Sequence, residues 1–288
     1  MPNTLITPTL VSKQALGFWQ NSQILCGLFN RAYESEFGGG NGDTVTIRKQ
    51  ATLTASKFAR ATGVVVQDIV ESSITVTVTD LYDVSVLVTQ EQWDFDVMDF
   101  GWQIAEPAGR ALSKQAEMLI AAELAAAPLH GSLDPTKPLE GIIWAREDLN
   151  AAEVPMEGRF LIVGTNVAAT LLSDDHFLKA QDAGSDQALR SANLGRVLGM
   201  DVYESVRVDP NEAYLCHPDA LTFVSIVPQV ARGAASGATG TYDGLGLRTV
   251  FGYDINKKQD TISFDSYYEV APLRGASALR RVDIPVIP

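Results

Sequence analysis

The spacing of hydrophobic positions changes period several times along the chain, and each change marks an element. Between residues 9 and 33, Leu16, Trp19, Ile24, Leu28 and Phe29 fall near helical spacing, predicting an amphipathic helix in an N-terminal arm. Thr44-Val45-Thr46-Ile47-Arg48 alternates polar and apolar, as a half-buried strand does. Strict alternation returns from Ile74 to Thr79 and again at Val84-Ser85-Val86, with Leu87-Val88 continuing it. Asp80 to Asp83 read as the turn joining those two runs in a β-hairpin. The period then lengthens. Ala108, Leu112, Ala116, Leu119, Ile120 and Leu124 trace one face of a helix from Pro107 to Ala127, with Pro128 and Gly131 ending it. Such a helix is ~30 Å long, the longest rigid element in the chain.

Beyond residue 140 the pattern is mixed. A short helix is expected over Arg146 to Ala152, a buried strand over Arg159 to Gly164 and a helix over Asn166 to Leu172. Further strands are expected at Asp201 to Ser205 and Ala220 to Val227. Residues 231–246, ARGAASGATGTYDGLG, read as a mobile surface loop. Strands at Arg248 to Ile255 and Thr261 to Tyr268, joined by a turn at Asn256 to Asp260, precede an extended tail from Leu279 to Pro288. The mixture indicates an α+β or α/β chain.

One stretch, FGGGNGDTVTIRK at residues 37–49, poses a choice between a phosphate loop and a turn. A phosphate loop needs Lys-Ser/Thr after its last glycine and then a helix. Asp43 and Thr44 stand there instead, and a strand follows. The glycines are expected to supply a turn that launches a β element. After it, between Arg48 and Ile74, a long polar excursion carries Lys49, Lys57 and Arg60. Two strands exposed to water are barely stable alone. A long basic hairpin projecting from an acidic protein is therefore expected to lie on something else.

Composition narrows the function. The chain has 288 residues, 46% of them hydrophobic and 20% charged, enough for one large or two modest domains with a real core. Its net charge of −13 argues against a broad basic surface for nucleic acid or anionic lipid. Cys26 and Cys216 give no disulfide framework, and a reducing compartment fits. The start, MPNTLITPTLVSK, has no signal-peptide pattern, and the apolar stretch from Met118 to Ala127, interrupted by Glu123, is too short to span a bilayer.

A search for chemistry returns little. His130, His176 and His217 are far apart, and Cys216-His217 is one adjacent pair without a CxxC or HExxH frame, so no metal site is expected. No GxSxG elbow occurs, and Ser236 sits in a linker-like Ala-Ala-Ser-Gly. Asp174 and Asp175 read as a helix-terminus or solvated pair. Asp94, Asp96 and Asp99 lack the glycine and distal glutamate of a calcium loop, and read as a solvated or partner-facing acidic patch. No catalytic, cofactor or metal residue is expected, which favours a binding or structural role.

Several segments, in this order, resemble one family. Glu36-Phe37 through Gly42-Asp43-Thr44-Val45-Thr46-Ile47 is similar to the lead-in to the extended loop of tailed-bacteriophage major capsid (coat) proteins, the Hong Kong 97-type fold. Ala145-Arg146-Glu147-Asp148-Leu149, with Val154-Pro155 and Arg159-Phe160-Leu161-Ile162-Val163, resembles the start of that family's axial domain. Leu194-Gly195-Arg196-Val197-Leu198-Gly199-Met200-Asp201-Val202-Tyr203-Glu204-Ser205 resembles its G-x-x-x-G-hydrophobic-x-V-x-x-S segment. His217-Pro218-Asp219-Ala220-Leu221, followed by Thr261-Ile262 to Tyr268, resembles its closing strands.

The resemblance implies an α+β fold in six parts. These are an N-terminal arm (1–36), an extended β-hairpin loop with flanking strands (37–90) and a peripheral domain with a spine helix (91–140). An axial domain (141–240), returning peripheral strands (241–270) and a C-terminal extended segment (271–288) complete it. It implies self-assembly as pentamers and hexamers into an icosahedral head, in the host bacterial cytoplasm, around double-stranded DNA bound without sequence preference. Scaffolding, portal and decoration proteins are the further partners it implies, with no cofactor and no membrane. Lys49, Lys57 and Arg60 are then expected to meet Asp94, Asp96 and Asp99 of the next chain. Measured against that family, scaffold is expected to be separate or absent and no inserted β domain is expected. Some relatives crosslink a loop lysine to an asparagine; Lys57 and Asn256 are the conceivable pair, with no catalytic glutamate placed beside them. Two alternatives stay open: an encapsulin shell of the same fold that houses a cargo enzyme, and a soluble enzyme with an unrecognised site. The basic loop and long arm lean towards the phage head.

Overall fold

A computed structural model of the chain describes residues 15, 24–37, 43–49, 51, 53–61, 63–64, 66–95, 101–132, 137–173, 195–234, 236–242, 245–274 and 277–283. In chain order the strands and helices are β1 (Thr44–Lys49), β2 (Ser72–Thr77), β3 (Leu81–Thr89), α1 (Gln90–Phe95), α2 (Glu106–Ala125), β4 (Leu129–Ser132), α3 (Pro138–Ala151), β5 (Phe160–Val163) and α4 (Thr165–Ser173). They continue with β6 (Arg196–Val197), β7 (Met200–Glu204), β8 (Glu212–Cys216), β9 (Leu221–Ile226), β10 (Ser236–Tyr242), β11 (Leu245–Asp254), β12 (Gln259–Pro272) and β13 (Leu279–Asp283). Three sheets result: β1-β2; a five-stranded sheet in the order β10-β11-β12-β3 with β9 also on β12; and a six-stranded sheet in the order β4-β13-β8-β5-β7-β6.

The helical stripe over residues 107–127 folds as α2. Pro107 occupies the first turn, where no intrahelical donor is needed. Ala108, Leu112, Ala116, Ile120 and Leu124, four residues apart, are all buried against β12 and β3. Ala108 and Ala116 let the helix approach the sheet closely. Tyr268 of β12 fills the gap that they leave: it is fully buried, stacks on Tyr82 of β3 with ring centroids 4.2 Å apart, and donates its hydroxyl to the Leu112 carbonyl at 3.4 Å. In the six-stranded sheet β5 is buried along its whole length, as a continuous apolar run Phe-Leu-Ile-Val requires. Ile142, Ala145 and Leu149 of α3 and Val167, Ala168 and Leu171 of α4 share its core.

One buried acid joins the parts. Glu117, on the apolar face of α2, is 5% exposed. Its Oε1 accepts the Ile24 and Leu25 backbone N–H groups at 2.6 and 3.3 Å, and its Oε2 lies 3.6 Å from Arg207 Nε. The arm then runs along β9, where Phe223 N–H donates to the Asn30 carbonyl at 3.0 Å and Asn30 Nδ2 donates to Asp219 at 2.9 Å.

Four expectations change. The expected hairpin of residues 74–79 with 84–88 does not form: β2 pairs with β1, from Thr44↔Thr77 to Lys49↔Ser72, and β3 pairs with β12. Alternation fixes which side chains share a face, not which strand lies alongside. Val45, Ile47 and Val76 bury together near the base, whereas Val88 packs in the main core. The predicted helix over residues 9–33 lies largely outside the described residues; its described end is a 3-10 turn at Leu25–Gly27 followed by turns. The low-complexity segment at 231–246 holds a strand, β10, paired with β11 over Ser236↔Phe251 to Tyr242↔Leu245. Glycine suits it there, because a Cβ on Gly237 would come within 2.8 Å of Val230 Cγ1. The helix expected at Arg146 to Ala152 begins earlier, at Pro138. The glycine turn at 38–42 lies outside the described residues, while the strand predicted after it is β1.

Replacing Glu117 with alanine would strand two arm N–H groups and the Arg207 guanidinium. Denaturant titration is expected to show a loss of roughly 2 to 4 kcal/mol, with faster amide exchange at Ile24 and Leu25.

Candidate inter-subunit surface

The base of the β1-β2 hairpin is well anchored. Phe37, Val45, Ile47, Val76 and Val78 form a small buried cluster with Val224 of β9, and the Val78 N–H donates to the Asp43 carbonyl at 2.8 Å. Past that base the ribbon leaves the body. Among the described residues of its far part, the Gly63 N–H donates to the Ala59 carbonyl at 2.9 Å, with Gly63 at φ +75°, which marks the tip. A second brace lies below the tip: the Gln67 amide accepts from the Thr54 N–H at 3.0 Å and donates to the Thr54 carbonyl. From β1 to the tip is ~16 residues, a reach on the order of 50 Å if extended.

This ordered loop presents apolar side chains to water. Leu53, Phe58, Val64, Val66, Ile69 and Val70 are between 59% and 85% exposed. Scattered exposed hydrophobics are ordinary, but a concentration of this kind marks an interaction surface. Lys49, Lys57 and Arg60 are exposed on the same arm. Arg48 and Glu71 approach at 3.9 Å, a solvent-screened pair worth ~0 to 1 kcal/mol. Of the predicted acidic group, Asp94 is exposed at the end of α1, where it accepts from Gln90 Nε2 at 3.3 Å; Asp96 and Asp99 lie outside the described residues. Among the described ion pairs, none joins Lys49, Lys57 or Arg60 to Asp94 within the chain.

The interior polar groups are tied up in structure. Burial pushes the Cys26 and Cys216 thiols up, away from the reactive thiolate. Burial also lowers the pKa of His217, whose Nδ1 accepts from the Asp219 N–H. Asp148 on α3 meets His130 of β4 at 2.5 Å and Arg280 of β13 at 3.2 Å, clamping the helix to one edge of the six-stranded sheet. Burial raises the Asp148 pKa, but hydrogen bonds and charge from His130 and Arg280 outweigh it and hold the carboxyl below its usual range. Across the five-stranded sheet, Arg248, Asp265 and Asp83 stand in register on β11, β12 and β3. Arg248 pairs with Asp265 at 2.5 Å, and Ser263 donates to both carboxylates. Burial and the neighbouring Asp83 push Asp265 up. Asp83, despite its own burial, is held down by hydrogen bonds from Asp265, Ser263 and Ser85.

Sequence reasoning missed Glu117, Arg159 and that carboxylate pair. Glu117 had a signal, an acid on an apolar helical face. Arg159 had none; it is 4% exposed and donates to the Val154 and Pro155 carbonyls and to Asn150, closing the loop after α3. A cleft of about 540 Å³ between α2 and the six-stranded sheet is lined by Met118, Ala122, Val208, Glu212 and Arg281, among others. Of its charged lining residues, Glu212 is engaged by Arg281 at 3.3 Å and Arg207 by Glu117. Among the described residues no group of three or more His, Cys, Asp or Glu side chains could hold a metal ion, and no helix is long and apolar enough to cross a membrane.

Comparison places this geometry among known proteins. A family model described as phage capsid protein matches residues 72–276. Among curated protein sequences nothing matches. Among solved structures, the chain is similar to a protein of Mycobacterium phage Che8, with a TM-score of 0.72, 19% identity, and 90% of each chain covered. It is similar to the mature capsid of bacteriophage PhiM1, with a TM-score of 0.64, 14% identity, and 86% of this chain and 84% of that one covered. A virus-like particle from Pyrococcus furiosus matches with a TM-score of 0.55 and 14% identity, over 95% of this chain and 97% of that one.

The Asp148 clamp makes the fold acid-sensitive. Because its folded pKa is depressed, its contribution is present in full above the ordinary carboxylate value of ~3.9 and is lost as pH falls through the lower folded value. Denaturant midpoints followed across that range are expected to fall for the natural chain, with Asp148→Asn flattening part of the slope.

Proposed function

The chain belongs to the phage capsid protein family and has the Hong Kong 97-type α+β fold, and from that premise we propose that it tiles an icosahedral phage head as pentamers and hexamers around double-stranded DNA. As a capsid structural protein its work is association with further copies of itself, without a catalytic step. Assembly takes place in the host bacterial cytoplasm, with scaffolding, portal and decoration proteins as the remaining partners.

The observation that carries this reading is the outstretched β1-β2 hairpin, whose far loop is ordered yet exposes Phe58, Val64, Val66, Ile69 and Val70. An isolated chain gains nothing from such a surface; a lattice in which each loop lies on a neighbour buries it at every position. In this reading α2 with the five-stranded sheet is the peripheral domain and the six-stranded sheet with α3 and α4 is the axial domain. Residues 1–36 are the arm, and β1 and β2 are the extended loop. Lys49, Lys57 and Arg60 face Asp94, Asp96 and Asp99 of the adjacent copy. A net charge of −13 also suits a wall past which duplex DNA must slide, since a basic wall would hold it through released counterions.

The likeness to the Pyrococcus furiosus virus-like particle supports a second reading, an encapsulin-type shell that houses a cargo protein. Both readings require large closed particles and differ in their contents. Electron microscopy of the purified protein, followed by nuclease digestion and analysis of what the particles hold, separates them. Closed shells, with double-stranded DNA in those isolated from infected cells, are expected. Shells holding a protein cargo favour the second reading, and single chains at high concentration contradict both.

A further inference from the structure

We propose that Asp83 and Asp265 hold one proton between them through the Ser263 hydroxyl, and that this shared proton is a pH-sensitive fastening of the edge strand β3 to β12. The inference concerns one sheet within a single chain and stands apart from the shell reading.

Register brings the groups together. Arg248 of β11, Asp265 of β12 and Asp83 of β3 are cross-strand partners, and Ser263 faces Ser85 one same-face pair further along. Side chains alternate across a strand, so these five lie on one face of the sheet. Tyr82 and Tyr268 lie on the other, against α2. Two acids directly opposite each other are an unfavourable pair in a sheet. Asp265 is 3% exposed, whereas Asp83 is open to solvent.

The hydrogen bonds outnumber the hydroxyl protons available for them. Ser263 Oγ lies 2.5 Å from Asp83 Oδ1 and is also hydrogen-bonded to Asp265 Oδ1. A hydroxyl has one proton to give, and an ionised carboxylate has none. With both acids ionised, one of these contacts sets a hydroxyl lone pair against a carboxylate oxygen. One added proton removes the conflict. Either Asp265 donates to Ser263 and Ser263 to Asp83, or the same chain runs in reverse from Asp83. Interconversion moves two protons, one across each hydrogen bond, and leaves the total unchanged. The other contacts need no help. Ser85 Oγ donates to the Asp83 carboxylate at 3.0 and 2.9 Å from its two oxygens, and Arg248 Nε and Nη2 donate to Asp265 Oδ2 at 2.7 and 2.5 Å.

Charge balance also asks for one proton. Arg248 sets one positive charge against two carboxyls, and its Nη1 is occupied by the Gln229 carbonyl at 2.7 Å. Among the described residues, Arg248 is the charged group that bears on both acids. Asp80 and Glu269, the next acids beyond Tyr82 and Tyr267, and Glu123 of α2 bear on Tyr82 or on one another instead. With one proton on the pair, the three groups are neutral together.

Asp265 is the carboxyl that gains. Burial, with Asp83 beside it, pushes it up, so the folded chain keeps this proton at pH values where the unfolded chain has lost it. Its contribution is fully present below the ordinary carboxylate value of ~3.9 and is lost as pH rises through the raised folded value. β3 then meets β12 across two like charges. The dependence is opposite in sign to that of the Asp148 clamp. Because Asp83 is exposed, the proton exchanges with solvent at the open end, while its loss is felt at the buried one.

The test is an infrared titration of the full-length protein carrying carbon-13 at its aspartate carboxyls, which separates their bands from those of glutamate. A protonated-aspartate band that survives above the ordinary value of ~3.9 and disappears at higher pH is expected. Asp83→Asn is expected to remove it, because the Asn amide supplies the missing donor to Ser263. Absence of the band from the natural chain overturns the inference, whether or not the variant folds, and so does its persistence in Asp83→Asn. Amide exchange at Tyr82 to Val86, corrected for the intrinsic pH dependence of exchange, reports the fastening. Raising the pH through the midpoint of the band is expected to cost roughly two- to fivefold in protection in the natural chain and nothing in Asp83→Asn. Equal losses in the two proteins overturn the fastening of β3.

Discussion

An ordered ribbon cannot keep large apolar side chains in water without cost, and that constraint governs the molecule. Each such side chain forgoes ~1.5 to 3 kcal/mol relative to full burial. The extended loop holds several of them, at Leu53, Phe58, Val64, Val66, Ile69 and Val70. Elsewhere the exposed apolar side chains, among them Phe95, Trp144, Met156, Val206 and Ile255, lie apart in sequence, while α2 is sealed against β12 and β3 and β5 is buried throughout. The chain thus divides into a body with a packed core and a loop whose apolar side chains stay exposed within one chain. In the proposed lattice that difference has a use, because a loop covered by a neighbour would couple each tile to the next.

Between the body and its projections stands one helix. α2 contacts both sheets and, through the Glu117 carboxylate, fixes the arm and Arg207 at a single point. The arm continues past Asn30 along β9 to Phe37, which packs in the cluster at the hairpin base with Val224. The route from α2 through the arm to the hairpin base is therefore pinned at Glu117, at Asn30 and at Phe37.

The features legible in the sequence were those fixed by local period. Ala108, Leu112, Ala116, Ile120 and Leu124 announce α2 because four-residue spacing has one structural solution over that length. Alternation at 44–48 and 74–79 announced strands equally well, but their pairing depends on contacts remote in sequence, and Val224, which completes the hairpin base, lies far from both. β10 was hidden because a strand held by its backbone ladder can be built from Ser, Gly, Ala and Thr when another segment of the same chain, here Val230, packs closely over it. In the excursion between Arg48 and Ile74 the cations stand out in the sequence, whereas the exposure of Val64, Val66 and Val70 shows only in the structure. The proposed charge pairing of Lys49, Lys57 and Arg60 with Asp94, Asp96 and Asp99 would be a property of two chains, which no single-chain geometry contains.

The division between a self-sufficient body and a dependent loop is tested most directly by excision. Residues 51–70 would be replaced by a short turn joining β1 to β2, and the product followed by calorimetry and sedimentation velocity. The account predicts a cooperative melt close to that of the unassembled natural chain, together with complete loss of particles. Particles of normal size without the loop, or a body that no longer melts cooperatively, would contradict it.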